Sequence, residues 1–449
     1  MKKVISVILA LVMTAALSAA ALAASGDVNG DNELDNKDVV SLFRYVSGNK
    51  TAVKNEEECD INGDGSVDNK DVVMLFRTVS GGSFEDEDDG EYENVVLYPF
   101  NGIYHDYDVE KLSSIFRFYL VMPGRSEKYL SVGERFQIMI GAEGNELYYN
   151  LSAKDVTFNV LSGGEYATIS DDGVFTAIKP GTIKFQTVLN KVNYQIITYI
   201  TVMEPKKVDT WEGSGTFRDP YLINTVEDFM KIHKVSTQET AGSSSGYWYK
   251  QTADLDFSGI KYDPPKMFSG HYDGGGYKIK NVTVDPSNKD GSVFGMACNA
   301  VIKNVTIENF RFVRTSGEVG YAAPLSSHSI SGLYAENCHV LSAYINIRNN
   351  DVTWQSGGFF GAAFIESPCV FVNCSAKATI TCMNDCGGFC TSVLSSPSAF
   401  INCKADTQID SRGGTYGSFF TDDIEGVYVY DCECTGRDQI LERHNIKTK

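Results

Sequence analysis

Apolar residues recur at every second position through much of this chain, in short runs punctuated by Gly, Asn, Asp and Ser. Between Phe116 and Glu204 the runs read FRFYLV, RFQIMI, VTFNVL, IKFQTV and YQIITYITV, with turn residues between them. Strands with one buried face give this alternation, so residues 116–205 are predicted to form a small β-sandwich. Residues 93–115 belong either to it or to a connector. A Gly-rich opening, WEGSGTFRDPYLI, leads into the segment Thr225-VEDFMKIHKV. There Thr225 can cap a helix with Asp228 three residues on, and Val226, Phe229, Met230 and His233 share one face. Beyond Tyr247 short strands run to the end.

Those last strands repeat. Aligned on one polar residue, they place Asn281, Asn304, Asn337, Asn373, Asn402 and Asp431 in one column. Two residues earlier stand Ile279, Ile302, Ala335, Phe371, Phe400 and Val429; one residue later stand Val282, Val305, Cys338, Cys374, Cys403 and Cys432. A second series, Gly357-GFF, Gly387-GFC and Gly417-SFF, runs in phase at a spacing of 30. Periods of this size mean a solenoid, in which no coil can bury its apolar side alone and neighbours stack into one long core. Asn suits a bend because it tolerates left-handed backbone angles and its amide can bond the coil above. The cysteine column is then an internal stack of small hydrophobes. Cys382, Cys386 and Cys390 have a spacing that invites a metal, but no His lies near them, and packing is the reading preferred.

Near the N-terminus a different repeat appears. Asp27 opens DVNGDNELDNKDVVSLFRYVS and Asp60, 33 residues on, opens DINGDGSVDNKDVVMLFRTVS. A calcium loop takes oxygen ligands from positions 1, 3, 5, 7, 9 and 12, the seventh through its backbone carbonyl. Those positions are Asp27, Asn29, Asp31, Glu33, Asp35 and Asp38 in the first copy, and Asp60, Asn62, Asp64, Ser66, Asp68 and Asp71 in the second. Calcium is a hard cation, and carboxylates and carbonyls at alternate positions of a tight loop are what it requires. Gly65 supplies the sharp turn in one loop and Asn32 in the other. A helix follows each loop, with Val39, Val40, Leu42, Phe43 and Val46 its apolar positions in the first copy.

Composition adds the setting. The chain has 449 residues, 58 acids against 39 bases and a formal charge of -19, which argues against a nucleic-acid binder. Residues 1–24 read as a secretion signal: Lys2 and Lys3, an apolar run from Val4, then Ala21-Leu22-Ala23. No other segment is long and apolar enough to span a bilayer. The acidic run Phe84-EDEDDGEYE opens a linker and connector over 83–115. There are 11 cysteines, an odd count that gives no complete disulfide framework.

Residues 26–82 resemble a type I dockerin, the calcium-dependent plug that fixes proteins to cohesin modules of a cellulosome scaffoldin. The terminal Asp of both loops, the missing flanking helix and the spacing carry the resemblance. It implies two bound calcium ions, and cohesin contacts at loop positions 10 and 11 and a basic residue at position 18. Here these are Asn36, Lys37 and Arg44, and Asn69, Lys70 and Arg77. The two sets are identical, which implies pseudo-twofold symmetry and allows two binding orientations. The module stands at the N-terminus rather than the family's usual C-terminus, and Asn-Lys replaces its best-known specificity pairs. Leu130-SVGE and Asp172-GVFTAIKPGTIKF resemble a bacterial Ig-like domain of the second type, which implies a spacer or adhesive sandwich. Gly213-SGTFRDPYLI, Thr252-ADLDFSG, Phe268-SGHYDGGGYKIKNVTV and VIKNVTI resemble the Gly-Leu-Gly-motif β-helix proteins of secreted and surface proteins. That implies a right-handed parallel β-helix over 210–449 and no shared chemistry.

The expected fold is therefore multidomain: a small α-helical dockerin with paired EF-hand-like loops, an Ig-like β-sandwich and a right-handed parallel β-helix. β-Helices also host pectin-degrading enzymes, whose chemistry needs carboxylates at fixed separation. Asp422-Asp423 is the one pair that stands out, without the motifs that accompany such a site. Arg412 with Asp410 could serve a lyase; His328 and Ser329 are expected in a Ser-rich loop with no third member. Trp248, Tyr249, Tyr272, Tyr277 and Trp354 could stack on sugars, though core packing is the commoner use. The reading leans toward a secreted, non-catalytic cellulosome subunit whose β-helix binds polysaccharide, cell surface or protein. A docked polysaccharide hydrolase or lyase is the first alternative, and a structural or protease-related accessory protein the second.

Overall fold

The computed structural model describes residues 26–31, 33–46, 48–61, 67–68, 71–72, 75, 79, 117–121, 129–144, 147–151, 156–189, 194–205, 207, 211–236, 246–315, 319–330, 332–347, 353–363, 369–383, 385–393, 398–413, 415–421, 424 and 427–446. They fall in two compact units, 1–91 and 92–449.

In the first unit, helix α1 (Asn36–Val46) follows the first acidic loop directly. Leu42 and Leu75 occupy the same place in the two repeats, and both are buried in one small core with Val28, Val53 and Cys59. The duplicated sequence thus closes on itself, each copy covering the other's apolar stripe.

The second unit opens with β structure. Arg117–Val121, Met139–Gly144 and Leu147–Leu151 form a three-stranded antiparallel sheet. Tyr129–Ser131, Tyr194–Met203, Gly181–Leu189 and Val156–Ser162 form a four-stranded one, and Arg135–Gln137, Val174–Ala177 and Ala167–Ile169 a third. Leu130, Phe136, Phe175, Ile183, Phe185, Ile200 and Val202 share their core, with the Phe136 and Phe175 rings stacked 5.5 Å apart.

From Tyr221 the strands are parallel and stack coil upon coil into a β-solenoid. One inward column runs through Tyr221, Tyr249, Tyr272, Ile302, Ala335, Phe371, Phe400 and Val429. From Asn304 on, successive coils turn at an Asn in the left-handed region: φ is 54° at Asn304, 51° at Asn337, 52° at Asn373 and 53° at Asn402, and Asp431 at 52° is the last of the series. The Asn side chains form a ladder. Asn337, Asn373 and Asn402 each donate Nδ2–H to the Oδ1 of the Asn one coil earlier, at 3.3, 3.3 and 3.1 Å. Behind the bend Val305, Cys338, Cys374, Cys403 and Cys432 are buried, as the alignment requires. The four thiols donate to the carbonyls two residues back, Glu336, Val372, Ile401 and Tyr430.

One member of the alignment belongs elsewhere. Asn281 stacks with Asn309, which donates Nδ2–H to it at 2.7 Å, and Ile279 pairs in register with Ile307. The coil beneath Asn304 bends at Gly275 and Gly276, at φ 58° and 78°, and Asp273 at the end of its strand accepts the Asn304 amide at 3.0 Å. The early coils carry two left-handed Asn bends, Asn304 and Asn309, only five residues apart. A column drawn from spacing alone merges them. Cys382 and Cys386 are joined as a disulfide in the core, while Cys390 is buried outside that bridge, as the packing reading expects. The glycine series is steric: a Cβ at Gly357 or Gly417 would lie 1.9 or 1.6 Å from the carbonyl oxygen of Phe360 or Phe420.

Both ends of the solenoid are covered. Helix α2 (Val226–Ser236) starts at the expected capping box: Thr225 Oγ1 accepts the Asp228 N–H at 3.1 Å and donates to Asp228 Oδ2 at 2.9 Å. It lays Phe229 on Phe257, Tyr272 and Phe294. At the other end a short helix, α3 (Gln439–His444), departs from the expectation of strands to the terminus. Its cap, Asp438, is buried. One carboxylate oxygen accepts the N–H groups of Ile440 and Leu441, and the other accepts those of Phe419 and Phe420. In earlier coils the next coil's carbonyls do this; Phe389 and Cys390 both donate to Phe419 O. Asp438 stands in for the coil that is not there.

The β-rich segment and the solenoid touch within the second unit. Gly133, at φ +86°, lies so close to Phe217 that a Cβ would be 2.0 Å from its ring. Ser131 Oγ donates to Gly246 O at 2.8 Å, and buried Glu134 sits 3.3 Å from His271 Nε2, whose ring is stacked on Trp248.

Asp438→Ala strips four backbone amides of their acceptor. It is expected to lower solenoid stability by about 3 kcal/mol, seen as an earlier midpoint in denaturant unfolding. Asp438→Asn keeps one acceptor oxygen and should lose less. An unchanged midpoint for the Ala variant would show that water serves those amides.

Candidate calcium loops and docking face

The first loop is folded by its own acids. Asp27 Oδ1 accepts the N–H groups of Gly30 and Asp31 at 2.8 and 3.1 Å, and Asp31 Oδ1 accepts that of Glu33 at 2.9 Å. Asp35 Oδ1 accepts the Lys37 N–H at 2.7 Å, which starts α1. Asp38 is fully buried; its two oxygens accept the N–H groups of Asn29 and Asp35 at 3.1 and 2.9 Å. Asn55 ties the loop to the chain beyond α1 by donating to the Asp27 carbonyl at 2.9 Å.

The second loop closes in the same manner at its last acid. Asp71 is fully buried and accepts the N–H groups of Ile61 and Asp68, both at 2.8 Å. Asp60 and Asp68 are described as well; Asn62, Asp64 and Ser66 lie outside the described residues.

The donor set fits a hard divalent cation. Asp27, Asn29, Asp31, Glu33, Asp35 and Asp38 offer oxygen alone, with no thiol or imidazole among them. Among the described residues, no three His, Cys, Asp or Glu side chains converge as a metal centre would draw them. Asp31, Glu33 and Asp35 gather instead on the Lys37 ammonium, with Nζ at 3.2, 3.4 and 3.0 Å. The Glu33 backbone N–H, and after it Lys37, hold the Asp31 carboxyl below its ordinary range. The three carboxylates push the Lys37 ammonium up, Asp35 most.

The predicted contact residues share one surface in the first copy. Asn36, Lys37 and Arg44 are all exposed on α1. The second set, Asn69, Lys70 and Arg77, lies outside the described residues. Sequence reading placed Val40 and Phe43 among the apolar positions of the helix, but they are 47% and 55% exposed, beside Leu34 at 45%. Leu42 is buried, and Val39 and Val46 pack against the same core on the opposite side. The helical spacing carries the signal that separates them, because 36, 40, 43 and 44 fall on a different face from 39, 42 and 46. The outward face is a mixed apolar and basic patch, suited to a protein partner.

The solenoid's candidates resolve into structural roles. His328 and Ser329 lie on a strand, Ser326–Ser329, not in a loop. Ser327 and Ser329 are fully buried, and Ser329 Oγ accepts the Gly332 N–H at 3.0 Å. His328 Nδ1 lies 3.1 Å from Ser327 Oγ, with its ring against Tyr321, and burial lowers its pKa despite Asp290 nearby. Asp290 Oδ1 accepts the Tyr321 N–H at 2.8 Å. Asp410 and Arg412 pair at 3.1 Å in the open. Tyr249 and Tyr272 are core residues, Trp248 stacks on His271, and Tyr277 is exposed. Asp422, Asp423 and the Trp354 side chain lie outside the described residues.

No helix among the described residues is long and apolar enough to cross a membrane. Over 141 residues the chain is 30% identical to a protein described as halomucin from Haloquadratum walsbyi, a match covering 28% of this chain and 2% of that protein. The chain thus spans a small fraction of that relative's length. No solved structure matches. Residues 25–80 match the family of type I dockerin domains. Such domains bind calcium in paired EF-hand-like loops and dock on cohesin modules of scaffoldins, and proteins that carry them are typically extracellular components of cellulosome-type assemblies.

Proposed function

We propose that this chain is a secreted subunit of a cellulosome-type assembly. It docks by its calcium-loaded dockerin and presents the β-solenoid for binding to polysaccharide or a cell surface. The observation that carries the reading is the duplicated loop and helix, with Asn36, Lys37, Val40, Phe43 and Arg44 outward on one face of α1. In this reading calcium takes the oxygens of Asp27, Asn29, Asp31, Glu33, Asp35 and Asp38, and those of Asp60, Asn62, Asp64, Ser66, Asp68 and Asp71. The exposed face, and its copy bearing Asn69, Lys70 and Arg77, meet the cohesin. Residues 1–24 are the export signal, 83–115 the linker and connector, 116–205 an Ig-like spacer, and 210–449 a right-handed β-helix. A non-catalytic solenoid is supported by the burial of Ser327 and Ser329 and by the open Asp410–Arg412 pair, which has no converging partner among the described residues.

Chelation of calcium is expected to unfold 26–82, seen as lost helical signal and lost retention on a cohesin. Asp27→Ala with Asp60→Ala should abolish cohesin binding on a panel of cohesins; binding that survives in the double variant overturns the docking assignment. Because the contact set is duplicated, Lys37→Ala with Arg44→Ala should leave binding within about threefold. Adding Lys70→Ala and Arg77→Ala should remove it, by more than 100-fold if each face loses about 3 kcal/mol. For the solenoid, the full chain is screened on plant and microbial polysaccharides for retention and released sugar together. Retention without release supports a targeting role, and release would make it an enzyme.

A further inference from the structure

Lys37 is placed on the docking face by its position in α1, yet its ammonium turns back into the first loop. It reaches Asp31 and Asp35, loop positions 5 and 9, at 3.2 and 3.0 Å, and Glu33 at 3.4 Å. The first two are oxygens that a calcium ion in this loop needs. Within twelve residues the loop carries five carboxylates, on Asp27, Asp31, Glu33, Asp35 and Asp38. Their mutual repulsion opposes the fold that Asp27 and Asp38 impose by accepting backbone N–H groups. An ammonium among them relieves part of that repulsion. It is held loosely: the Lys37 side chain is 62% exposed and its contacts are those of a solvated ion network.

Calcium changes the balance. It binds carboxylate oxygens at about 2.3–2.6 Å and carries twice the charge. An ammonium bonded to the same Asp31 and Asp35 carboxylates would then lie close to a divalent cation, which repels it. The four-carbon stem lets the ammonium leave without moving the helix. Around its base lie Asn36 and Val40, both exposed. We propose that Lys37 is a tethered cation that occupies the first loop when calcium is absent, and that calcium displaces it onto the docking face. Calcium occupancy is thereby coupled to a positive charge that cohesin can meet. The two repeats differ at this point: the second loop has Ser66 where the first has Glu33, so the latch is strongest in the first loop.

This inference rests on the docking reading, and the test separates the two. In the full chain, lysines are reductively methylated with a carbon-13 label, and the Lys37 resonance is assigned by its loss in Lys37→Arg. Calcium titration is expected to move that resonance to a plateau by the second equivalent. By calorimetry, Lys37→Gln should bind calcium about fivefold more tightly at one of two sites, and the gain should shrink in high salt as exposed charges are screened. Lys50→Gln, with the same charge change on a lysine whose ammonium lies over the Tyr45 ring at 3.7 Å, should shift affinity by less than twofold. A Lys37 resonance that ignores calcium overturns the latch while leaving docking intact. So does a Lys37→Gln affinity equal to wild type or to Lys50→Gln. Absence of any calcium uptake by the wild-type chain overturns both readings.

Discussion

The solenoid depends on one backbone event repeated from coil to coil: a residue in the left-handed region that turns the chain from one sheet into the next. For most side chains that conformation costs about a kilocalorie or more. Asn bears it best after Gly, and unlike Gly it brings an amide that can bond the coil beneath. Asn304, Asn337, Asn373 and Asn402 do both, each at φ between 51° and 54°. With the bend held, the next residue must point inward at a crowded corner, and a small apolar side chain is what fits. Val305, Cys338, Cys374, Cys403 and Cys432 fill that place. Their thiols find carbonyl acceptors nearby, so sulfur here serves packing rather than redox chemistry or metal binding.

A stack of parallel coils has two open ends, each an invitation to further pairing. Here the two ends are closed by different physics. Helix α2 covers the first with an aromatic plug around Phe229, an apolar solution. Asp438 closes the last with a carboxylate that takes the place of missing carbonyls, a polar one. The solenoid is tied to the preceding β segment through Gly133, Ser131 and Glu134. Such a body suits presentation of a surface. The polar groups that first suggest chemistry, His328 and Ser329, bond within their own segment, to Ser327 and to the Gly332 N–H.

The small calcium module works by charge rather than by packing. Its core is modest, with Leu42 and Leu75 at its centre. Its first loop crowds five carboxylates, on Asp27, Asp31, Glu33, Asp35 and Asp38, into twelve residues beside that core. The same carboxylates offer the oxygens that calcium takes, and they draw the Lys37 ammonium away from the face where its helix places it.

Local and periodic features were legible in the sequence. The 33-residue repeat, the alternate oxygens of its loops, the capping box at Thr225 and the inward column after each Asn are short-range rules. Each is written within one turn or one coil; the capping box and the buried residues after Asn304, Asn337, Asn373, Asn402 and Asp431 are found where the chain specifies them. What the sequence left open involves groups far apart in the chain. Spacing could not say that Asn281 pairs with Asn309 rather than with Asn304, because the early coils have two Asn bends and only strand register separates them. Nor could it say that Asp438 ends the solenoid, since the amides it accepts, at Phe419 and Phe420, lie in another coil. Val40 and Phe43 are apolar on a helix, and hydrophobicity alone counts them as core. Helical spacing puts them on a different face from Leu42, and the second repeat packed against Leu42 decides which face is buried, because a helix between two small repeats can bury one stripe and must expose the other.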